Sequence, residues 1–377
     1  MFYSERNLDK ARFDQAWEIV VQHHEMLRVV FRWKETKQPV QLVLQEYERP
    51  VQHLDYSEQP AEEKELIQQL LNQTVIVSPE SSCFQVVLAK LAAGRYAMCI
   101  YNHHAVFDGW SLSIVIRDFF RAYSQGFGLD EGVVRKRICF KTFIDYYRKL
   151  PLQPQRQFWQ DNLEGVLPCL LQEIDFTTDR EEDGSSRKLS FPLDPSLIND
   201  VKRLAGESTA TMSSVLFSAW AKILQVYTDQ DDIVFGTTLS IRDERVIDID
   251  NSVGLYMNTV PVRLKSEDCT TVLQVIMAMN DAIQDMQKNA LLPLDEIVKT
   301  KTAPGEPLFN TLFVVENYPV ETSIKEGDSL RIADIVYQEQ NNFDLSVIVQ
   351  CGSLLQVTIL YRSILFSNKY IECLAAA

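Results

Sequence analysis

Between Tyr96 and Tyr123 the hydrophobic period of the chain changes once, and that change constrains the fold more than any other stretch. Tyr96-Ala-Met-Cys-Ile-Tyr101 has the character of a buried strand, and Leu112 to Tyr123 spaces its apolar residues as an amphipathic helix. Between them runs Asn102 to Ser111, Asn-His-His-Ala-Val-Phe-Asp-Gly-Trp-Ser. Two of the five histidines therefore leave the end of a strand, where clefts form, close to a carboxylate and a glycine. Trp110 and Ser111 mark the turn into the helix, with Ser111 expected as its N-cap. A second doublet, His23-His24, shows that adjacency alone carries little information.

The flanking pattern is mixed. Leu8 to Val30 reads as a helix running into the β-branched Val29-Val-Phe-Arg-Trp33, with Val40 to Tyr47 as hairpin partner and Pro60 to Asn72 as a polar-faced helix. Phe84 to Leu91 and Tyr96 to Tyr101 are strands joined by a short turn, and residues 125–132, with three glycines, read as a loop. Helices are expected at Phe140 to Leu150 and Gln155 to Leu163, separated by Pro151 and Pro154. A polar, charge-rich run at 177–188 reads as a hinge. Beyond it, helices are expected at Pro195 to Gly206, Met212 to Tyr227 and Thr271 to Asn289. Strands are expected at Ile233 to Ser240, Tyr256 to Leu264, Leu308 to Asn317, Phe343 to Gln350 and Leu355 to Tyr361. At 377 residues the chain exceeds what one core usually organises. Two domains are expected, residues 1–176 and 189–377 about the hinge, each α and β in mixed order without regular βαβ alternation or a glycine-rich phosphate loop.

Charge and composition exclude several classes. A net charge of -15, from 37 basic and 52 acidic side chains, opposes a grip on nucleic-acid backbones. No apolar run approaches the roughly 20 residues that span a bilayer, and the first residues lack the apolar centre of a secretion signal. A cytoplasmic protein without nucleic-acid or membrane partners is expected. The seven cysteines show no CxxC pair, which points to reduced thiols rather than a disulfide or metal framework.

A neutral imidazole takes a proton from an amine, alcohol or thiol at working pH, so His103 and His104 are the candidates for general-base chemistry. No serine lies in a nucleophile elbow and no cysteine lies beside a histidine, which argues against a covalent acyl-enzyme. Neighbours on a strand point to opposite faces, so one histidine of the pair faces a cleft and zinc is a poor fit. Asp108 reaches back towards the pair, and a carboxylate so close to apolar strands requires a cationic partner. Gly109 admits close approach of the backbone at the turn.

The complete string His-His-x-x-x-Asp-Gly, in its strand, loop and helix context, resembles the signature of the condensation domains of nonribosomal peptide synthetases, within the superfamily that includes chloramphenicol acetyltransferase. The resemblance extends along nearly the whole chain. His24-Glu-Met-Leu-Arg28-Val-Val-Phe31 is similar to the family's Arg-His-Glu-x-Leu-Arg-Thr-x-Phe, with His23 for the first Arg and Val29 for the Thr. Gly236-Thr-Thr-Leu-Ser-Ile-Arg242 and Val253-Gly-Leu-Tyr-Met-Asn258-Thr-Val-Pro-Val-Arg263 look like the family's crossover motif. Pro307 to Asn317 and Asn342-Phe-Asp-Leu-Ser346 look like its late strands.

The resemblance implies two acetyltransferase-like lobes in a V-shaped pseudo-dimer, with the active site in a tunnel. Donor and acceptor peptidyl carrier domains would bring their groups as phosphopantetheine thioesters, the cofactor belonging to the carriers, and adenylation domains would be neighbours in the parent synthetase. The acceptor amine would attack the donor thioester and form an amide. His104 matches the motif histidine that deprotonates the amine, or holds it and stabilises the tetrahedral intermediate. His103 would be structural, and Asp108 would form a buried ion pair with Arg28 or Arg242. Trp110, Ser111 and Asn258 are carried as tunnel or crossover candidates. A cyclising or ester-forming outcome, or a module that only docks carriers, is the alternative. An epimerisation domain would carry a further histidine motif, yet none follows His104, and a plant-type acyltransferase would carry Asp-Phe-Gly-Trp-Gly where this chain has Asn342 to Ser346. Family members open with a helix and a strand ahead of the stretch matching Leu8 to Phe31. Here that opening is reduced to Met1 to Asn7, which reads as an N-terminally shortened copy with an exposed sheet edge.

Overall fold

The computed structural model describes residues 2–4, 8–34, 36–47, 50–58, 63–72, 78, 80–125, 138–173, 186–265, 267, 269–299, 301, 306–316, 332–335, 342–351 and 355–377. In chain order these form β1 (Phe2–Ser4), α1 (Lys10–His23), β2 (Val29–Arg32), β3 (Val40–Val43), β4 (Val51–Asp55), α2 (Glu63–Asn72), β5 (Phe84–Lys90), β6 (Tyr96–Asn102) and α3 (Gly109–Gln125). There follow α4 (Phe140–Tyr147), α5 (Gln153–Asn162), β7 (Ser186–Pro192), α6 (Pro195–Glu207), α7 (Met212–Thr228), β8 (Asp232–Ser240), β9 (Met257–Lys265), α8 (Val272–Lys288) and α9 (Leu294–Val298). The last elements are β10 (Thr311–Glu316), β11 (Ile332–Ile335), β12 (Leu345–Cys351), β13 (Leu355–Arg362) and α10 (Asn368–Ala376).

Packing divides the chain into two compact units. The first comprises residues 1–150, 242–256 and 318–339, and the second 151–241, 257–317 and 340–377. Both are mixed α and β, as the periodicity implies. The division is not one cut at a hinge, however. Residues 177–185 of the expected hinge lie outside the described residues, as does most of the expected 125–132 loop, and Ser186 to Lys188 already belong to β7. The chain changes unit at Pro151, because Trp159 and Leu163 bury themselves in the second core. Pro154 sits in the first turn of α5, where its missing N–H costs nothing, so it starts that helix rather than breaking one.

In the first unit a five-stranded sheet runs in the order β11-β1-β6-β5-β4. Phe2 to Ser4 pair antiparallel with both β6 and β11, and so lie between them in the sheet. Helices α1 and α3 pack together through Phe13, Trp17 and Phe119, with Trp17 stacked on Phe119 at 4.5 Å and Phe13 edge-on to it at 5.1 Å. Strands β2 and β3 form the expected hairpin, with Val29 opposite Val43. In the second unit the order is β7-β13-β12-β10-β8-β9, with β10 parallel to both neighbours and the other pairs antiparallel. Phe217 and Trp220 of α7 pack against Phe313 of β10, which is why that helix reads as strongly apolar. Among the described residues no helix is long and apolar enough to cross a membrane.

Candidate active site

Strand β6 ends at Asn102, which pairs with Phe84 of β5. His103 N still donates to Cys83 O at 2.9 Å, and then the chain turns, Val106 N donating to His103 O at 3.1 Å. The apolar pair Val106 and Phe107 enters the core at 0% and 2% exposure and pins the turn from below. Both histidines consequently stand exposed on the outside. Strand alternation does not separate them, because the strand has ended before either is reached. What separates them is hydrogen bonding. Ala105 N donates to His103 Nδ1 at 3.2 Å, so His103 closes the turn. Partial desolvation, helped by the neighbouring His104, pushes the His103 pKa below its ordinary value and keeps the ring a neutral acceptor. His104 has no hydrogen-bond partner among the described residues.

Asp108, rather than Ser111, begins helix α3. Its Oδ1 accepts from Ser111 N at 2.8 Å and its carbonyl accepts from Leu112 N at 3.0 Å, the N-cap geometry. The apolar period starts later than the helix itself, since Gly109 and Trp110 are already helical. Ser111 instead lies inside the first turn, fully buried. The other Asp108 oxygen, Oδ2, accepts from Tyr256 N at 2.9 Å, and Arg242 Nη2 approaches Oδ1 at 3.4 Å. With side chains 5% and 6% exposed, Asp108 and Arg242 form a buried pair that is compensated by neutral hydrogen bonds as well as by charge.

This geometry chooses between the two arginines. Arg242 also donates through Nη1 to Ile249 O at 2.5 Å and Ser252 O at 3.0 Å, and its guanidinium lies 4.1 Å from the Tyr256 ring centre. Burial pulls its pKa below the usual range, and Asp108 opposes that pull. Arg28 is not the partner of Asp108. It donates to Val21 O at 3.1 Å, to Gln22 O at 3.4 Å and to Leu44 O, and so ties the end of α1 to the β2–β3 hairpin.

The segment 242–256, which joins β8 to β9, belongs to the first unit and is fastened to α3 at several points. Trp110 Nε1 donates to Asp250 O at 2.9 Å, Arg117 Nη2 to Asn251 Oδ1 at 3.2 Å and Asp108 N to Gly254 O at 3.3 Å. On the α4 side, Tyr146 OH donates to Asp243 Oδ2 at 2.6 Å, and the Tyr256 ring meets Phe140 and Phe143 edge-on. Gly254 is required by space, since a methyl group there would collide with the Phe140 ring. Gly254 and Tyr256 lie in the stretch that resembles the family's crossover motif, although no site role follows for them from the sequence, and Tyr146 and Phe140 carry no signal there. Asn258 is elsewhere, in the second unit, where its amide donates to Ala290 O at 2.8 Å and Leu292 O at 2.7 Å and holds the turn after α8. Gly109 is the first residue of α3. Among the described residues no three His, Cys, Asp or Glu side chains converge as a metal site.

Comparison with known proteins places these residues in context. A family model described as "Condensation domain" matches residues 1–377. A linear gramicidin synthase of Brevibacillus parabrevis is 29% identical over 97% of this chain, which spans 5% of that protein's length. The X-domain from teicoplanin biosynthesis shares 19% identity with a TM-score of 0.79, over 100% of this chain and 87% of that one. The first condensation domain of the calcium-dependent antibiotic synthetase, solved with a substrate analogue, shares 18% identity with a TM-score of 0.76, over 100% and 88% respectively. Both structures show that the fold is shared.

Proposed function

The chain belongs to the condensation-domain family, and from that membership we infer that it forms amide bonds between substrates carried as thioesters on two carrier domains. The amine of the acceptor aminoacyl group attacks the donor carbonyl, a C–N bond forms, the C–S bond breaks, and the thiol of the donor phosphopantetheine leaves with a proton. The phosphopantetheine arms are part of the substrates and come with the carriers. Adenylation domains, which load such carriers, are the expected neighbours in a parent synthetase.

One observation carries the assignment of His104. In the turn that leads into α3, Asp108 is committed to two backbone amides and to Arg242, and His103 accepts from Ala105 N. His104 alone of these groups is exposed and without a hydrogen-bond partner among the described residues. It is the side chain available to take a proton from the attacking amine, a role worth roughly 10²–10⁴-fold in rate when well placed. The larger share of acceleration comes from holding two tethered reactants together, where effective molarity reaches about 10⁵–10⁸ M.

The test is amide formation by the 377-residue chain supplied with donor and acceptor carriers loaded in advance, followed by mass spectrometry of the acceptor carrier. A His104→Ala variant that turns over normally sinks the assignment. Carrier binding by the unaltered chain without any product sinks amide formation and leaves a docking module.

A further inference from the structure

Ser111 lies in the first turn of α3 at 0% exposure. A hydroxyl has one proton to donate and two lone pairs to accept with, and here all three are engaged. Ser111 Oγ donates to Gly254 O at 2.8 Å, accepts from Gly254 N at 3.1 Å and accepts from Arg242 Nη2 at 2.8 Å. The contact between Arg242 and Asp108 is longer, at 3.4 Å. One small side chain thus grips both backbone groups of Gly254 and holds the guanidinium more closely than the carboxylate does. Gly254 has no room to withdraw, because Phe140 fills the space its missing side chain would occupy. The 252–256 backbone is therefore clamped between a hydroxyl and an aromatic ring.

We propose that Ser111 is a positioning residue for amide formation, setting the place of Arg242 and of the 252–256 backbone and, through them, of Asp108 and the histidine turn. The proposal rests on the reading of His104 as the group that handles the amine proton. The path is short and continuous. Arg242 and Tyr256 N hold the Asp108 carboxylate, Asp108 N donates to Gly254 O, and Asp108 directly follows the turn pinned by Val106 and Phe107. Charge attraction alone tolerates sliding, whereas three directional bonds to one hydroxyl do not. Loss of the hydroxyl leaves the segment attached at Trp110 and Arg117, so the fold persists while its register against α3 slackens.

Ser111→Ala and Ser111→Thr, made in the full chain, are compared by steady-state amide formation with loaded carriers, by urea unfolding and by amide hydrogen exchange. Ser111→Ala is expected to lower kcat about 10- to 100-fold with KM for both carriers within roughly twofold. The amides of 252–256 are expected to lose about tenfold in protection while those of β8 and β9 keep theirs. Ser111→Thr retains the hydroxyl and is expected to recover most of kcat. Unchanged kcat in folded Ser111→Ala, or a loss that only follows the unfolded fraction, overturns the proposal. So does a folded Ser111→Thr that regains exchange protection yet remains as slow as Ser111→Ala. If the unaltered chain forms no amide, the functional reading has failed, and exchange alone decides: selective loss at 252–256 supports the clamp and unchanged protection overturns it.

Discussion

Two histidine doublets occur in this chain, and they have opposite fates. At the end of α1, His23 Nδ1 meets Ile19 O at 2.8 Å, and His24, 4% exposed, places Nε2 2.8 Å from Asp118 Oδ2. Both rings of that pair are consumed by the fold. At the end of β6, His103 accepts one turn amide and His104 makes no hydrogen bond among the described residues. The residue types are identical and both doublets lie at the end of a regular element, the first straddling the end of α1 and the second just beyond β6. Chemical availability is therefore what remains after local structure has taken its hydrogen bonds, and a turn takes fewer than a helix end packed on a neighbouring helix.

The sharpest way to break this contrast is to remove one imidazole from each doublet. His104→Ala should lower kcat by roughly 10²–10⁴-fold while shifting unfolding stability by no more than about 0.5 kcal/mol, as expected for an exposed site. Next comes the anchor beside the second doublet. Arg242→Met leaves the Asp108 carboxylate buried without its cation, and urea unfolding should show a loss of about 3–5 kcal/mol. An unaltered midpoint would mean that the carboxylate is held by its backbone amides alone. His24→Ala should show the reverse of His104→Ala, losing about 1–3 kcal/mol because buried Asp118 loses a partner, with kcat per folded molecule preserved. Arg28→Met should cost only about 1 kcal/mol, since it removes hydrogen bonds to carbonyls and, among the described residues, no charge partner.

The smallest effect separates the two histidines of the exposed doublet by pH. Because the folded-state pKa of His103 lies below its ordinary value, the unfolded chain binds the proton more readily. Its contribution to stability is whole above the unfolded pKa of about 6.5 and is lost as pH falls through the folded value. The Ala105 amide resonance should move as pH is lowered from about 7 to about 5, reporting protonation of the Nδ1 acceptor. A resonance that does not move would place the proton on Nδ1 throughout.

Much of the fold is legible in the sequence wherever one period persists. The β5–β6 hairpin, α7, the antiparallel pair β12–β13 and the mixed order of elements all follow from alternation or helical spacing. The short strands β1, β4 and β7 do not, because three to seven residues with polar alternation carry little signal until a neighbouring strand pairs with them. The same holds within the site. That Asp108 needs a cation follows from burial, but the choice of Arg242 over Arg28 depends on a contact across 134 positions of sequence. Alternation separates neighbouring histidines only inside a strand, and β6 stops one residue too soon. The role of Ser111 is hidden by its suitability as a cap, a function that Asp108 takes with the same chemistry.

The excursion of residues 242–256 into the first unit has a consequence for recombination. An exchange of residues 1–176 between related condensation domains, cut where the composition changes, would transplant Asp108 and Ser111 while leaving Arg242, Gly254 and Tyr256 behind in the recipient. The hybrid would then join a helix from one parent to a strap from another, across a joint fastened by the Ser111 hydroxyl and without room for a methyl group at Gly254. A graft that carries 242–256 together with the first 150 residues keeps that joint from a single parent, so the heritable unit of this site is two pieces of chain rather than one.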